Sequence, residues 1–140
     1  MINPEAFFDS NILIYAHTQS GAKSETAREL LASGGSVSVQ VLNETANTLS
    51  RKFRLNWLHI AQIIDSVSET CPDPRPLTLA TNRTALSVCE RFRFGFYDGL
   101  IIASALEAGC KTLYTEDLHH GQTIDGLRIE NPFRQSDQES

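Results

Sequence analysis

The sequence predicts a single α/β domain built on a mostly parallel sheet with helices on both faces, and three observations carry that expectation. Short apolar runs of strand length alternate with helical patterns at a spacing that suits crossover connections. The stretch from Asp98 to Ala108 is apolar nearly all round, as a helix buried against a sheet is. The chain has 140 residues, 41% of them hydrophobic and 21% charged, which suits one globular domain with a real core. No repeat, low-complexity tract or Gly/Ser linker divides it, so the expected domain is 1–134, followed by a polar, mobile tail over 135–140.

Taken in order, Ala6 to Phe8 suits a short buried strand, and Ile12 to Ala16 a short helical or irregular turn. Ala22 to Ala32 is rich in helix formers, with Ala27, Leu30 and Leu31 on one side, and Gly34-Gly35 ends it. Ser36 to Val39 alternates with period two, as a strand does. Leu42, Ala46, Leu49 and Phe53 recur at i, i+4, i+7 and i+11 and predict a helix over Gln40 to Phe53. A further helix covers Trp57 to Val67, and the proline-rich Pro72 to Pro76 is a connection, with Leu77 and Leu79 extended. Helices over Thr81 to Phe92 and Asp98 to Ala108 follow, the second stopped by Gly109. Lys111 to Tyr114 and Leu127 to Ile129 read as strands.

Several function classes are disfavoured at once. No apolar run approaches the roughly 18 uncharged residues of a membrane span, and MINPEAFFDS lacks the order of a signal peptide, so a cytoplasmic, membrane-free protein is expected. Cys71, Cys89 and Cys110 are odd in number and far apart, without zinc or redox spacing, and read as reduced thiols. A net charge of -5 argues on its face against a nucleic-acid partner.

The chemistry-bearing residues are acids. Asp9 interrupts two apolar runs in FFDSNILIYA, where an unpaired charge is costly to desolvate. It serves either the backbone, as a helix N-cap or Asx-turn, or a site. Asp98 opens the most apolar helix, where a cap or a favourable dipole charge is the ordinary role. In Thr115-Glu116-Asp117 only one of two adjacent acids points into a given cleft, and position after a strand does not choose between them. Glu44 lies about 200° round its helix from Leu42, beside Asn47 and Arg51, as a residue on a solvated face does. Together these four converge on one edge of a parallel sheet, beyond the strand ends where such folds bind ligands. Converging carboxylates either hold protons at raised pKa or share a cation, and oxygen-only ligation favours Mg²⁺ or Mn²⁺ over zinc.

With those residues in view, the chain resembles the PIN-domain ribonucleases, and among them the VapC-type toxins of toxin-antitoxin pairs. The resemblance rests on FFDSNILIYA, VSVQVLNETANTLSRK, FYDGLIIASALEAGCKTLYTEDL and GLRIENPF, and spans Phe7 to Phe133. It implies a three-layer PIN-like fold and an RNA-hydrolysing site in which Asp9, Glu44, Asp98 and Asp117 are the catalytic, metal-binding acids. Asp9 and Asp98 are then direct ligands of Mg²⁺ or Mn²⁺, completed by Glu44 and Asp117. The resemblance also implies supporting positions at Ser10 and Asn11 and, among the variable neighbours of the last acid, Thr115 and Glu116. His119, His120 and Gly121 match a stretch seen in a subset of the family and are not ligands there. Gly99 stands where relatives often have Ala, an exchange of one small residue for another. Implied partners are an RNA substrate, a cognate antitoxin whose tail enters the acidic groove, and a second copy in a homodimer.

The charge objection then weakens, because without the four acids the chain has 13 acids against 12 Lys plus Arg. Arg51, Lys52 and Arg54, and also Arg91 and Arg93, are candidates to meet phosphates; the alternative for Arg51 and Lys52 is to complement a helix C-terminus. Tyr97 either stacks on a base or serves the core or a hinge. Rival functions are a catalytically silent PIN-like RNA-binding or scaffold protein, a nuclease outside toxin-antitoxin biology, and a metal-dependent phosphatase.

Overall fold

Ala6, Phe7 and Phe8 form β1 (Ala6–Phe8), and all three are buried, so both faces of the strand are covered. In the computed structural model, which describes residues 3–18 and 21–134, β1 is followed by α1 (Ser10–Thr18), α2 (Ala22–Ala32), α3 (Val39–Arg51), α4 (Trp57–Val67), α5 (Leu79–Phe92) and α6 (Phe96–Glu107). The chain then returns through β2 (Thr112–Tyr114), β3 (Thr123–Ile124) and β4 (Leu127–Glu130). The sheet order is β1-β2-β4-β3, with β1, β2 and β4 parallel and β3 antiparallel at the edge. Helices and sheet form the expected α/β three-layer arrangement. The main core joins Phe7, Phe8, Leu113, Leu127 and Ile129 of the strands to Ile12, Leu13, Val41, Val88 and Ile102 of the helices.

Local chemistry sets the helix limits. Ser38 caps α3 by accepting the Val41 N–H (3.1 Å), Asn56 caps α4 through His59 (2.8 Å), and Thr78 and Thr81 make a reciprocal capping box at α5. The chain leaves α6 through Gly109, whose φ of 72° is one that residues with a Cβ rarely adopt.

The differences from the sequence reading have identifiable causes. Ile12 to Ala16 is not a short turn: it belongs to a nine-residue helix that buries Ile12, Leu13 and Ala16. Ser36 to Val39 forms no strand. Ser36 and Ser38 make single parallel bridges to Phe7 and Arg75, and the Ser38 cap turns Val39 into the first residue of α3. Thr78 likewise starts α5 at Leu79, which is therefore helical and not extended. Gly95 occupies the cap position of α6, so Asp98 lies within its first turn and is not the N-cap. The short β3 was not anticipated, although Asp125-Gly126, with φ of 50° and 90°, is a dipeptide that favours tight hairpins. Tyr97 is 62% exposed, which excludes a core role. Among the described residues no helix is long and apolar enough to cross a membrane, and the tail over 135–140 lies outside them.

Gly99 is more constrained than its small size suggests. A Cβ there would lie 2.4 Å from Cys89 Sγ and 3.1 Å from the Ala85 carbonyl oxygen, because α5 and α6 pack closely at this point. Alanine gains about 1 kcal/mol over glycine in a helix interior, whereas overpacking costs about 1–3 kcal/mol. Gly99→Ala is therefore expected to destabilise the wild type by about 1 kcal/mol and to be neutral or stabilising when Cys89 is already alanine. Urea unfolding of the four proteins of this cycle measures the coupling; strictly additive effects contradict the steric account.

Candidate acidic site

The site grows from the register of β1 and β2. Phe8 is paired with Tyr114, so the next residue of each strand, Asp9 and Thr115, leaves the sheet side by side. Backbone bonds hold both exits: Asp9 N–H donates to the Tyr114 carbonyl and Thr115 N–H to that of Glu130, each at 3.0 Å. The Asp9 carbonyl accepts from Ile12 N–H and so starts α1, while its side chain does something else. That carboxylate, 3% exposed as a residue, accepts Ser10 N–H at Oδ1 (2.7 Å) and the Thr115 hydroxyl at Oδ2 (2.8 Å).

The hydroxyl of Thr115 also accepts Asp117 N–H (3.1 Å) and the Asn11 side-chain amide (3.3 Å). Asn11 in turn donates to Asp117 Oδ2 (3.2 Å) and accepts Glu116 N–H at Oδ1 (3.3 Å). One amide side chain from the first turn of α1 thereby secures three consecutive residues of the loop after β2. Asp117 follows that strand by three residues and not directly.

Glu44 joins from α3. Although opposite Leu42, it lies about 60° from Val41 on the helical wheel, and Val41 is buried; the helix has two apolar flanks, since Leu49 packs with Ile60 and Ile63 of α4. Glu44 is accordingly half-buried and accepts a hydrogen bond from Gln40, one turn earlier (3.1 Å). Asp98, also half-buried, comes from the first turn of α6.

Electrostatics confirms that these carboxylates sense one another. Burial pushes Asp9 up to about 6, against the opposing bonds from Thr115 and Ser10, and the charges of Glu44 and Asp117 raise it further. Glu44 is raised by burial, with Gln40 opposing and Asp98 and Asp117 adding repulsion. Asp98 is raised by burial and by the charge of Asp117.

The PIN domain family profile matches residues 6–123, a span that takes in all four acids. The chain belongs to the PIN domain family. Three solved structures are similar to this PIN domain. A toxin-antitoxin complex from Klebsiella pneumoniae is 18% identical, with 91% of this chain and 97% of that one covered at a TM-score of 0.68. Mycobacterium tuberculosis VapC20, a toxin that cleaves the sarcin-ricin loop, is 21% identical over 80% and 91%, at 0.65. Rickettsia felis VapBC2, bound to a DNA fragment from its promoter, is 20% identical over 94% and 98%, at 0.67. Among curated proteins none matches the chain.

The other sequence candidates of this PIN domain are placed differently from one another. Thr115 supports Asp9 directly, whereas the Glu116 side chain turns away to the Tyr15 hydroxyl (2.7 Å) and to Lys23 (3.2 Å). Lys52 lines a cavity of about 120 Å³ together with Asn11, Tyr15 and Glu116. Arg51 and Arg54 are exposed at the end of α3. Arg91 is engaged by both carboxylate oxygens of Asp125 (3.1 and 2.6 Å), and Arg93 ends α5 in a left-handed conformation. His120 accepts Asn131 N–H, and His119 is exposed. Sequence reading missed Gln40 and Tyr15. Both lie four residues from a recognised site position on the same helix, Glu44 and Asn11, which was the available signal.

Among the described residues no three His, Cys, Asp or Glu side chains stand close enough to enclose a metal ion. The donor set nonetheless suits a hard divalent cation: it is all oxygen, and its members repel in the absence of positive charge. Among the described residues, burial and the charge of Asp117 are what act on the Asp98 carboxylate.

A stability signature follows. The native chain keeps the Asp9 proton up to pH about 6 while the unfolded chain releases it near 3.8, so this group favours folding at low pH and penalises it as pH rises through 6. Asp9→Asn should therefore stabilise the metal-free protein at about pH 7.5 by up to about 2–3 kcal/mol, with the gain fading by about pH 4. Urea unfolding in EDTA tests this, and a pH-independent difference contradicts it.

Proposed function

We propose that this PIN domain is a divalent-metal-dependent endoribonuclease and the toxin of a type II toxin-antitoxin pair. The observation that carries the reading is the electrostatic coupling of Asp9, Glu44, Asp98 and Asp117, drawn from four separate segments. Mutually repelling carboxylates, here one buried, two half-buried and one exposed, destabilise a fold that does not use them. In this reading Asp9 and Asp98 hold Mg²⁺ or Mn²⁺, with Glu44 and Asp117 completing the set. When bound, the ion supplies a more acidic water and offsets charge on the phosphodiester transition state.

The protein groups have separable tasks. Ser10 N–H and the Thr115 hydroxyl fix the two oxygens of Asp9, and Gln40 orients Glu44. Asn11 engages Oδ2 of Asp117 and leaves Oδ1 to take a proton from the attacking water. Arg51, Lys52, Arg54 and Arg93 meet RNA phosphates; Arg91 contributes less because Asp125 already holds it. The similarity to the Klebsiella pneumoniae toxin-antitoxin complex and to Rickettsia felis VapBC2 supports a cognate antitoxin as partner; a homodimer and a cytoplasmic location belong to the same proposal.

A catalytically silent scaffold is the rival reading. Cleavage assays separate the two. Asp9→Asn and Asp98→Asn are each expected to lower Mg²⁺- or Mn²⁺-dependent cleavage of single-stranded RNA by at least about 100-fold while leaving the fold intact. Undiminished wild-type cleavage in EDTA would refute the metal mechanism. Expression of the wild type should slow host growth, and co-expression of an antitoxin from the adjacent gene should restore it. Normal growth at high expression removes the toxin assignment without touching the nuclease one.

A further inference from the structure

The adjacent acids Glu116 and Asp117 diverge, and the structure identifies what separates them. After Thr115 N–H bonds to Glu130 the chain leaves the sheet, and the next two amides are taken by side chains: Glu116 N–H by Asn11 and Asp117 N–H by Thr115. Without ladder bonds, the conformation of this loop rests on its side-chain anchors. The Glu116 carboxylate is the outer anchor, taking the Tyr15 hydroxyl of α1 at Oε1 and the Lys23 ammonium of α2 at Oε2.

This grip is itself braced. The Tyr15 ring packs edge-on against Phe133 with centroids 5.0 Å apart, and Lys23 Nζ lies 5.4 Å from the Tyr15 centroid and 5.9 Å from that of Phe133. The Lys23 and Glu116 side chains are 33% and 23% exposed, so the pair is partly shielded from water. Lys23 also balances the Glu116 charge and keeps it from adding to the repulsion among the other four acids.

We propose that Lys23 and Tyr15 are positioning residues: by gripping Glu116 they force Asp117 to face the acidic edge and hold it for the reaction. This rests on the nuclease reading above. Small misplacements of a reacting group cost up to about 100-fold in rate. Tyr15→Phe, which keeps the ring against Phe133, and Lys23→Met should each lower kcat about 10-fold, with KM for RNA changed less than about 3-fold. Each should also weaken Mn²⁺ binding measured calorimetrically without RNA and leave the thermal midpoint within a few degrees, and Lys23→Arg, which keeps the charge that meets Glu116, should retain more activity than Lys23→Met.

Asp117→Asn is the reference that separates the two levels of inference. If it weakens Mn²⁺ binding and cleavage while the Tyr15 and Lys23 variants match the wild type, the positioning role is overturned and the nuclease reading stands. If Asp117→Asn alters neither, the site reading fails and the positioning role fails with it. A loss of activity that only tracks the unfolded fraction, with unchanged Mn²⁺ affinity of the folded protein, reduces the grip to a structural contact and overturns the proposal.

Discussion

The pairing of Phe8 with Tyr114 governs the chemistry of this protein. Two parallel strands of three residues each are too short to tolerate a slip, because a shift of one residue would turn every side chain to the opposite face. With the register held, a carboxylate and a hydroxyl leave the strand ends side by side while still buried, and the hydroxyl donates to the carboxylate. The remaining acids are brought to this point by helices whose own starts are set by caps at Ser38 and Gly95. The positions of the acids are consequences of strand register and helix phase, not of loop conformation, with Asp117 as the exception.

That exception shows how the fold handles a residue that secondary structure does not reach. Asn11 reaches the loop from one side and the Tyr15–Lys23 pair from the other. The anchors come from α1 and α2, which precede the loop by about a hundred positions, so the local order of the site depends on tertiary closure. Asp9 is governed by burial instead: loss of solvent outweighs its hydrogen bonds from Thr115 and Ser10 and favours the neutral acid.

Much of this was legible in the sequence. Ala22–Ala32 and Trp57–Val67 were read with the observed limits; a glycine pair follows the first, and Asn56, which the sequence reading did not use, caps the second. That Asp9, Glu44, Asp98 and Asp117 gather at one edge was legible through their relation to strand ends and helix starts, while the role given to them is a proposal. What escaped was decided by competition. Serine at 38 suits either a strand or a cap, and the helix behind it won; the aliphatic run in α1 has no clear period because one flank meets the core and the other meets α2 and α3. Glu44 looked solvated only while α3 was credited with a single apolar stripe. The restriction at Gly99 was invisible, since the thiol that fills its space comes from a different helix.

Trp57 gives the molecule an unusual optical property. It is the chain's one tryptophan, and it stands 68% exposed in the first turn of α4 beside Leu58 at 72%. Its indole is already wet in the native state, so unfolding of the core alters its surroundings little. Anything that covers the start of α4 dries it. The tryptophan emission, selected apart from that of the three tyrosines, therefore reports on one outer face and is nearly blind to the interior.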